Sequence, residues 1–507
     1  MNNDLPLFPL DHLPLFGQPR ALALTIRDKS ISYQELNLRI GRLAAFLGAQ
    51  GLEAGDRVAT FLGKGEVACI MPLAAVRAGL VHVPINPVLK APQVAHIMAD
   101  SGARLLITNA ARAAGLADVP GKGSGYRIVE DKIVIKLLDN TAAPTLAPLA
   151  TITDPNTLAA ILYTSGSTGR PKGVMLSHAN LLLGAVSVAE FLKLGPDDVT
   201  LSVLPLSFDY GQNQLFSTWR AGGSVVPLEF LTPRDVIKAC ARHRITTLAA
   251  VPPLLVQLLE QEWPAEAHQR LRRLTNSGGA LTPKLVEMLR SIFGQKTEIF
   301  AMYGLTEAFR STYLDPALID ANPTSMGKAI PFAEVMVVAP DGSEAAPEQD
   351  GELVHAGPLV AQGYWQDAER NAERFKSAPP FSKYGGIAVW SGDTVKRDAD
   401  GCLTFVGRDD AMIKTNGNRV SPSEIEEAAV ESGQVIEACA LGRADARLGE
   451  AIVLFVRGTR DASALETHMK AVLPNFMQPT EVVWLEAFPK NANGKLDRAQ
   501  LAAGLWV

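Results

Sequence analysis

Apolar runs of strand length alternate with amphipathic stretches of helical length between residues 32 and 108. The pattern predicts helices at about Tyr33–Gln50 and through Ala78, and strands at Arg57–Leu62, near Val81–Val83 and at Leu105–Thr108. Such alternation is typical of an α/β fold. Residues 115–151, rich in Gly, Ala, Pro and charge, predict a surface connection that contributes little to the core.

A second set of apolar strands follows, separated by helical stretches, and indicates a second open sheet. Its predicted strands are Val199–Leu204, Ser224–Pro227, Thr247–Val251, Leu274–Ser277 and Ile299–Met302. Between residues 335 and 405 the pattern changes to short strands and turns. A hairpin is predicted there from Val395–Arg397 and Leu403–Val406, within a compact β subdomain.

A smaller α+β unit is predicted after residue 408. Ser421 and Glu424 form a capping-box pattern at the start of a helix predicted over Glu424–Ser432. Strands are predicted near Cys439–Gly442 and Ile452–Arg457. The fold class is therefore α/β, with a large N-terminal domain of two open α/β sheets and a small β subdomain, followed by an α+β C-terminal domain.

Composition narrows the classes of function. The 507 residues carry a formal net charge of −5 with interspersed signs, so no field that recruits nucleic acid is expected. The four cysteines lie far apart, which fits neither a disulfide framework nor a zinc site and favours the reducing cytoplasm. No signal peptide is expected, and the apolar stretch Val67–Val83 is too short and too interrupted for stable membrane insertion.

The strongest local signal is the run Tyr163-Thr-Ser-Gly-Ser-Thr-Gly-Arg-Pro-Lys-Gly173. Its hydroxyls, glycines and lysine supply the N–H, O–H and ammonium donors that surround phosphate oxygens. It differs from a Walker A loop, because Pro171 precedes Lys172 and Gly173 follows where a metal-binding Ser or Thr is required. The alternative is a flexible surface turn, but the density of donors favours phosphate binding.

This loop resembles that of the adenylate-forming superfamily, which includes acyl-CoA synthetases, luciferases and nonribosomal adenylation domains. The superfamily's later motifs follow in order, as Tyr303-Gly-Leu-Thr-Glu307, Ser391-Gly-Asp393, Gly407-Arg-Asp-Asp-Ala-Met-Ile-Lys414 and Asn493-Gly-Lys-Leu-Asp-Arg498. The segments Ser207–Gln214 and Tyr303–Tyr313 also resemble an exosortase-associated subgroup of AMP-forming ligases. The resemblance implies that ATP activates a carboxylic acid as acyl-AMP, with release of pyrophosphate, and that the acyl group then passes to a thiol.

The resemblance also implies an ATP site. Glu307 is expected to hold Mg²⁺ beside the triphosphate, because hard oxygen ligands suit that ion. Tyr303 is expected to stack on adenine, Thr306 to lie close to the α-phosphate, and Asp393 to bind the ribose with Arg408 nearby. The remaining expected nucleotide contacts are Thr164, Ser165, Gly166, Ser167, Thr168, Gly169, Lys172, Gly278, Gly279 and Gly304.

Lys495 matches the superfamily's mobile catalytic lysine, whose charge lies between the attacking carboxylate and the α-phosphate and stabilises the transition state. Asp410 matches the hinge about which the C-terminal domain rotates after adenylation, which implies domains of residues 1–409 and 410–507. In the rotated state Lys414 is expected at the active site and Gly417 at the thiol tunnel. Alternatively, Gly417 is a simple turn residue, since Asn416-Gly417 is a strong turn signal.

The acid pocket is expected to be polar and short. In amino-acid-activating members the residue at the position of Asp209 binds the substrate ammonium, but Asp209 can also be structural and pair with Arg310. The other expected pocket residues are Phe208, Tyr210, Asn213, Thr275, Ser277 and Met302. The acceptor is expected to be coenzyme A or the phosphopantetheine of a separate carrier protein.

Two other classes of function remain as alternatives. A nucleotide-binding scaffold without catalysis is opposed by the presence of Lys172, Glu307, Asp393 and Lys495. A luciferase-like oxygenase shares the fold, but nothing in the sequence supports it.

Overall fold

The computed structural model of the chain describes residues 7–116, 125–151, 154–164, 171–279, 281, 283–408, 412–489 and 498–504. Strands and helices alternate through the first part. They are β1 (Leu22–Ile26), β2 (Lys29–Ser32), α1 (Tyr33–Gly48), β3 (Arg57–Phe61), α2 (Glu66–Arg77), β4 (Val81–Pro84), α3 (Ala91–Ser101), β5 (Leu105–Thr108), α4 (Ala110–Gly115), β6 (Arg127–Glu130), α5 (Asp131–Asp139), β7 (Leu158–Thr164), β8 (Lys172–Ser177) and α6 (His178–Phe191).

The middle part contains β9 (Val199–Ser202), α7 (Asp209–Arg220), β10 (Ser224–Pro227), α8 (Pro233–His243), β11 (Thr247–Ala250), α9 (Pro252–Leu259), α10 (Ala265–His268), β12 (Arg273–Asn276), α11 (Pro283–Phe293), β13 (Glu298–Tyr303), β14 (Thr312–Tyr313), β15 (Ser325–Ala329), β16 (Glu334–Val338), β17 (Asp350–Ala356), α12 (Ala368–Arg374), β18 (Phe375–Ser377), β19 (Ile387–Arg397) and β20 (Leu403–Arg408). The last part contains β21 (Ile413–Thr415), β22 (Asn418–Val420), α13 (Pro422–Glu431), β23 (Val435–Asp445), β24 (Gly449–Gly458), α14 (Ala462–Val472), β25 (Glu481–Trp484) and α15 (Arg498–Ala503).

Two large sheets form the N-terminal part. The first has the order β6-β5-β3-β4-β7-β8 and is parallel except for the β7–β8 hairpin. The second runs β16-β17-β19-β20-β15-β14-β13-β12-β11-β9-β10-β1-β2, with β18 on β19. The parallel part of this sheet consists of β1, β10, β9, β11, β12 and β13. The remaining pairs are antiparallel. The predicted β subdomain is therefore continuous with the second sheet through β14 and β15.

One hydrophobic core joins the two sheets. It combines Leu24 of β1 and Val225 of β10, in the second sheet, with Val58 of β3 and Leu162 of β7, in the first. Helix α2 is buried at every position, as expected for a helix enclosed by other elements. Strands that are buried on both faces do not alternate between apolar and polar residues. This burial explains why the strands appear in the sequence as continuous apolar runs.

A separate core holds the C-terminal part together. Its sheet has the order β22-β21-β24-β23, with β25 parallel to β24. Ile425 of α13 and Leu465 of α14 pack against Ile452 and Leu454 of β24. The α+β prediction for this part agrees with the structure.

Two local predictions were wrong. The expected surface connection at residues 115–151 contains β6, an edge strand of the first sheet, and α5, which buries Val134 and Leu138 in the hydrophobic core between the sheets. Ser421 is the N-cap of α13, but its side chain makes no cap hydrogen bond. The carboxylate of Glu424 instead accepts a hydrogen bond from Gln93, 2.6 Å away on α3, and so does not close the capping box.

No helix in the described part of the chain is long and apolar enough to cross a membrane.

Candidate active site

A hairpin places two predicted phosphate-binding residues side by side. Thr164 ends β7, and Lys172 begins β8 directly opposite it in the antiparallel register. The Thr164 hydroxyl oxygen is buried and has no hydrogen-bond partner among the described residues. Residues Ser165, Gly166, Ser167, Thr168 and Gly169, which connect the two strands, lie outside the described residues.

Lys172, Glu307 and Tyr364 form one buried cluster in the cleft. The Lys172 ammonium lies 3.2 Å from Glu307 Oε1 and donates to the Tyr364 hydroxyl oxygen at 2.8 Å. The Tyr364 hydroxyl in turn donates to Glu307 Oε1 at 2.7 Å. Burial raises the pKa of Glu307, but the Lys172 charge and the Tyr364 hydrogen bond outweigh it and hold that pKa below its ordinary value. Glu307 is therefore ionised at neutral pH.

Tyr364 was missed by the sequence analysis. It is buried, its backbone N–H donates to the Asn371 side chain at 2.6 Å, and its ring packs edge-on against Phe375. The Lys172 ammonium also lies 4.2 Å from the centre of the Tyr364 ring. Tyr364 forms an isolated antiparallel bridge with Val174, close to Lys172 in β8, so the tertiary contact identifies the residue.

A tight loop after β13 carries Thr306, Glu307 and Arg310. Phe309 has a φ of 62°, in the left-handed region that bulky residues rarely adopt. Its ring packs so closely on α6 that a Cβ added at Gly184 would lie 2.6 Å from it. A Cβ at Gly304 would likewise lie 2.8 Å from the Arg310 Cα. Packing of this loop thus directs the Arg310 side chain into the acid pocket.

Asp209 and Arg310 form a buried pair. Asp209 begins α7, and its Oδ2 lies 3.8 Å from the Arg310 guanidinium. The Thr306 hydroxyl donates to Asp209 Oδ1 at 3.2 Å, and Arg310 donates to the Ser277 hydroxyl at 2.7 Å. Burial raises the pKa of Asp209, although Arg310 and Thr306 oppose that rise. Asp209 therefore has a cationic partner within the protein.

The predicted site residues divide between two cavities. One is the main cleft, which is lined, among others, by Thr164, Lys172, Ser277, Gly278, Gly304, Thr306, Glu307, Phe208, Asp209, Tyr210, Arg310 and Gly417. The other is a smaller cavity, lined among others by Asn213, Thr275 and Met302. Tyr210 and Arg310 line both cavities, so they form the wall between them.

The predicted ribose and adenine residues lie beside the cleft. The Tyr303 hydroxyl donates to Asp393 Oδ2, and Asp393 of β19 pairs with Arg408 of β20 in the sheet. Tyr303 and Asp393 themselves do not line the cleft, although Gly304 and Ser391 do. Gly279 lies behind it, where its carbonyl accepts from Asn276. The nucleotide roles of these residues remain predictions.

The C-terminal part closes one side of the cleft. Gly417 has a φ of +72° and packs so tightly that an added Cβ would lie 2.4 Å from Val251 Cγ2. The Lys414 ammonium lies 4.7 Å from the centre of the Phe405 ring, and Lys414 does not line the cleft. The predicted catalytic Lys495 and hinge Asp410 lie outside the described residues.

Comparison with known proteins decides the family. Residues 16–365 match the AMP-binding enzymes, and residues 424–495 match the C-terminal domain of AMP-binding enzymes. The chain belongs to the AMP-binding enzyme family. This AMP-binding enzyme is 31% identical to an L-proline--[L-prolyl-carrier protein] ligase from Pseudomonas fluorescens, over 96% of both chains.

Two solved complexes of the o-succinylbenzoate CoA synthetase from Bacillus subtilis are also similar to this AMP-binding enzyme. A double mutant bound to the product analogue OSB-NCoA is 25% identical, with 98% of each chain covered and a TM-score of 0.85. The complex with the acyl-adenylate intermediate OSB-AMP is 26% identical over 98% of each chain, with a TM-score of 0.70. The present structure therefore resembles the product-analogue complex more closely.

Family membership gives the class of reaction. The protein is an ATP-dependent, AMP-forming ligase, which activates a carboxyl group as an acyl-adenylate and transfers the acyl group to a thiol. The α/β fold with a smaller C-terminal part agrees with the sequence prediction.

Proposed function

We propose that this ligase activates a small carboxylic acid and loads it onto the phosphopantetheine thiol of a separate carrier protein. The observation that carries the proposal is one cleft that holds Lys172 and Glu307, the predicted phosphate and metal ligands, together with Asp209 and Arg310 of the predicted acid pocket. The carrier as acceptor is favoured by the prolyl-carrier protein ligase, which matches the chain over almost its whole length. Coenzyme A is the competing acceptor.

The residues of the cluster fit the groups that ATP and Mg²⁺ bring. An ammonium suits a phosphate, and a single ionised carboxylate suits Mg²⁺, which takes its other ligands from phosphates and water. Bound Mg²⁺ would neutralise phosphate charge during adenylate formation, when pyrophosphate leaves. Within the chain, Lys172 would leave Glu307 for the phosphates, and Tyr364 would hold the Glu307 carboxylate through its hydrogen bond to Oε1.

We further propose two domains, residues 1–409 and 410–507, that rotate about Asp410. Lys495 acts in the arrangement that forms the adenylate, and Lys414 and Gly417 act in the arrangement that forms the thioester. The chain is similar to the product-analogue complex, and Gly417 lines the cleft. Both observations support the view that the structure has the thioester-forming arrangement.

All four cysteines are free, which supports action in the cytoplasm.

An amino acid is a second candidate substrate. Asp209 stands at the start of α7 and lines the cleft, and the prolyl-carrier protein ligase acts on an amino acid. Against this candidate, Arg310 already neutralises Asp209, and a substrate ammonium would add an uncompensated positive charge to the pocket.

The test is ATP–pyrophosphate exchange across a panel of short fatty, hydroxy, aryl and amino acids. Acids that support exchange are then offered with coenzyme A and with phosphopantetheinylated carrier proteins, and the thioester is measured by mass spectrometry. We expect exchange with at least one short acid and thioester on the carrier. Exchange with no acid would refute adenylation, and thioester on coenzyme A alone would refute the proposed acceptor.

A further inference from the structure

The smaller cavity, which we call the inner compartment, lies behind Tyr210. Its polar lining consists of Tyr210, Asn213, Gln214, Ser217, Thr200, Thr218, Thr247, Thr275 and Arg310. The Tyr210 hydroxyl is hydrogen-bonded to the Thr275 hydroxyl at 2.8 Å, and this bond closes the wall toward the main cleft. Since Tyr210 and Arg310 line both cavities, these two side chains separate the inner compartment from the acid pocket, and a group from the acid pocket enters the compartment only when the Tyr210 hydroxyl leaves Thr275.

Unsatisfied polar atoms are concentrated around this compartment. Asn213 Nδ2, Gln214 Oε1, Thr247 Oγ1 and Arg310 Nε have no hydrogen-bond partner within the described ranges. All four side chains are at least nine-tenths buried, with Gln214 the most exposed at 6%. Leaving such an atom unpaired costs about 1–3 kcal/mol, and native interiors contain few of them. A concentration of four beside a catalytic cleft indicates that a bound molecule supplies the partners.

The charges around the inner compartment restrict the charge of the group that the bound molecule places there. Arg310 already faces the Asp209 carboxyl group at 3.8 Å, so its charge has a partner within the protein. An additional carboxylate or ammonium would enter as an uncompensated buried charge, which is strongly unfavourable. The group that enters is therefore neutral.

The size of the inner compartment and its hydrogen-bonding atoms further restrict which neutral group can bind there. The compartment has a volume of about 20 Å³, which holds one group of the size of a water molecule. A hydroxyl has this size, and it can accept from Asn213 Nδ2 or Arg310 Nε while donating to Gln214 Oε1. A methyl group fits as well but satisfies none of these atoms.

We propose that the acid activated by this enzyme is a short hydroxy acid, and that the inner compartment binds its hydroxyl group at the end remote from the carboxylate. This rests on the proposed adenylation of a small acid and names its substrate class. Asn213, Gln214, Thr247 and Arg310 then determine specificity, because a site that hydrogen-bonds a substrate hydroxyl rejects an analogue that lacks it.

The experiment compares each ω-hydroxy acid of three to six carbons with the alkanoic acid in which methyl replaces hydroxyl. For the wild-type enzyme, kcat/KM in pyrophosphate exchange is expected to favour the hydroxy acid at one chain length by about tenfold or more. Thr247→Val keeps the side-chain shape and removes an unpaired hydroxyl, so it is expected to reduce this ratio. Asn213→Leu is the second variant, in case Thr247→Val does not fold.

Thr108→Val is the matched control. Thr108 is buried outside both cavities, and its hydroxyl donates to the Phe61 carbonyl at 2.7 Å, so the ratio should not change. The proposal is overturned if every hydroxy acid is matched by its isostere, or if Thr108→Val alters the ratio as much as Thr247→Val. In each of these outcomes exchange still occurs, so adenylation itself stands. Absence of exchange with all acids would instead refute the proposed function.

Discussion

The Lys172 ammonium lies 3.2 Å from the Glu307 carboxylate, and this pair joins the start of β8 to the turn after β13. Each charge neutralises the other inside a buried cleft. Binding of ATP with its metal must therefore replace one partner of each residue. We expect Tyr364, which is hydrogen-bonded to both residues, to keep Glu307 in place during that exchange.

Tyr364→Phe is expected to raise the Mg²⁺ concentration that the reaction requires and to leave recognition of the acid unchanged. Loss of a hydrogen bond to a charged group costs about 1.5–3 kcal/mol, which corresponds to a roughly ten- to hundredfold higher Mg²⁺ requirement. Pyrophosphate exchange measured across a Mg²⁺ titration, with the KM of the acid determined alongside, checks this. An increase in the KM of the acid without an increase in the Mg²⁺ requirement would contradict this prediction.

Tyr33→Phe is the control for this variant. Tyr33 is also buried, and its hydroxyl donates to the Gly223 carbonyl at 2.5 Å, but it does not line the cleft. It should lower thermal stability without changing the Mg²⁺ requirement.

Asp209→Asn is expected to reduce kcat/KM for an amino acid and for its des-amino analogue in parallel. Removal of the carboxylate charge leaves Arg310 buried without its anion, and breaking a buried pair costs about 3–5 kcal/mol, or at least a hundredfold. The two substrates are compared in wild type and variant as a double-mutant cycle. A loss confined to the amino acid would show that Asp209 binds a substrate ammonium.

Asp198→Asn controls for the general effect of breaking a buried pair. Asp198 is buried and accepts from Arg272 at 2.6 Å and Arg273 at 2.7 Å, outside both cavities. It should lower the melting temperature and leave the ratio between the two substrates unaltered.

Glu424 is expected to make stability depend on pH. Burial raises the pKa of its carboxyl to about 7, against an ordinary 4.5 and in spite of the hydrogen bond from Gln93. The pKa of Glu424 is higher in the folded protein than in the unfolded chain. The contribution of the protonated Glu424 side chain to the free energy of unfolding is therefore fully present below about pH 4.5 and is lost as the pH rises through about 7. Because the Glu424 side chain is partly exposed, the resulting change in the free energy of unfolding is about 1–2 kcal/mol.

The measurement is the melting temperature of wild type and Glu424→Gln between pH 4.5 and 8.5. The Gln variant keeps an oxygen that accepts from Gln93, so its melting temperature should fall less over this range. Glu466→Gln, which changes an exposed glutamate paired with Lys470, serves as the control. Identical pH profiles for wild type and Glu424→Gln would refute the role of Glu424.

The two lysines of the C-terminal part are expected to separate the half-reactions. Lys495→Ala should abolish pyrophosphate exchange and largely preserve thioester formation from supplied acyl-AMP, because its charge acts at the phosphate. Lys414→Ala should impair thioester formation more than exchange. Lys470→Ala, on the exposed face of α14, should change neither. Equal losses in both assays for Lys414→Ala would argue against domain rotation.

The sequence by itself determined the strand core and the motif residues. Strands β5 and β10 agree with their predicted bounds because each is a short, continuous apolar run, and burial on both faces is encoded locally. Lys172, Thr306 and Glu307 were identified because their motifs keep a fixed spacing, and the structure brings them into one cleft. The α5 helix was missed because the Gly, Ala, Pro and charged residues around it outweighed the apolar positions within it.

Only the tertiary structure decided which partners these residues have. Tyr364 reaches Lys172 and Glu307 from distant parts of the chain, and no local pattern encodes a hydrogen bond of that kind. The same holds for the pairing of Asp209 with Arg310, which the sequence left open as one of two alternatives. It also holds for the division of the acid pocket by Tyr210 into a cleft and an inner compartment. Hydrophobic periodicity and motif spacing are local properties, whereas the packing that places Phe309, and with it Arg310, depends on elements far apart in sequence.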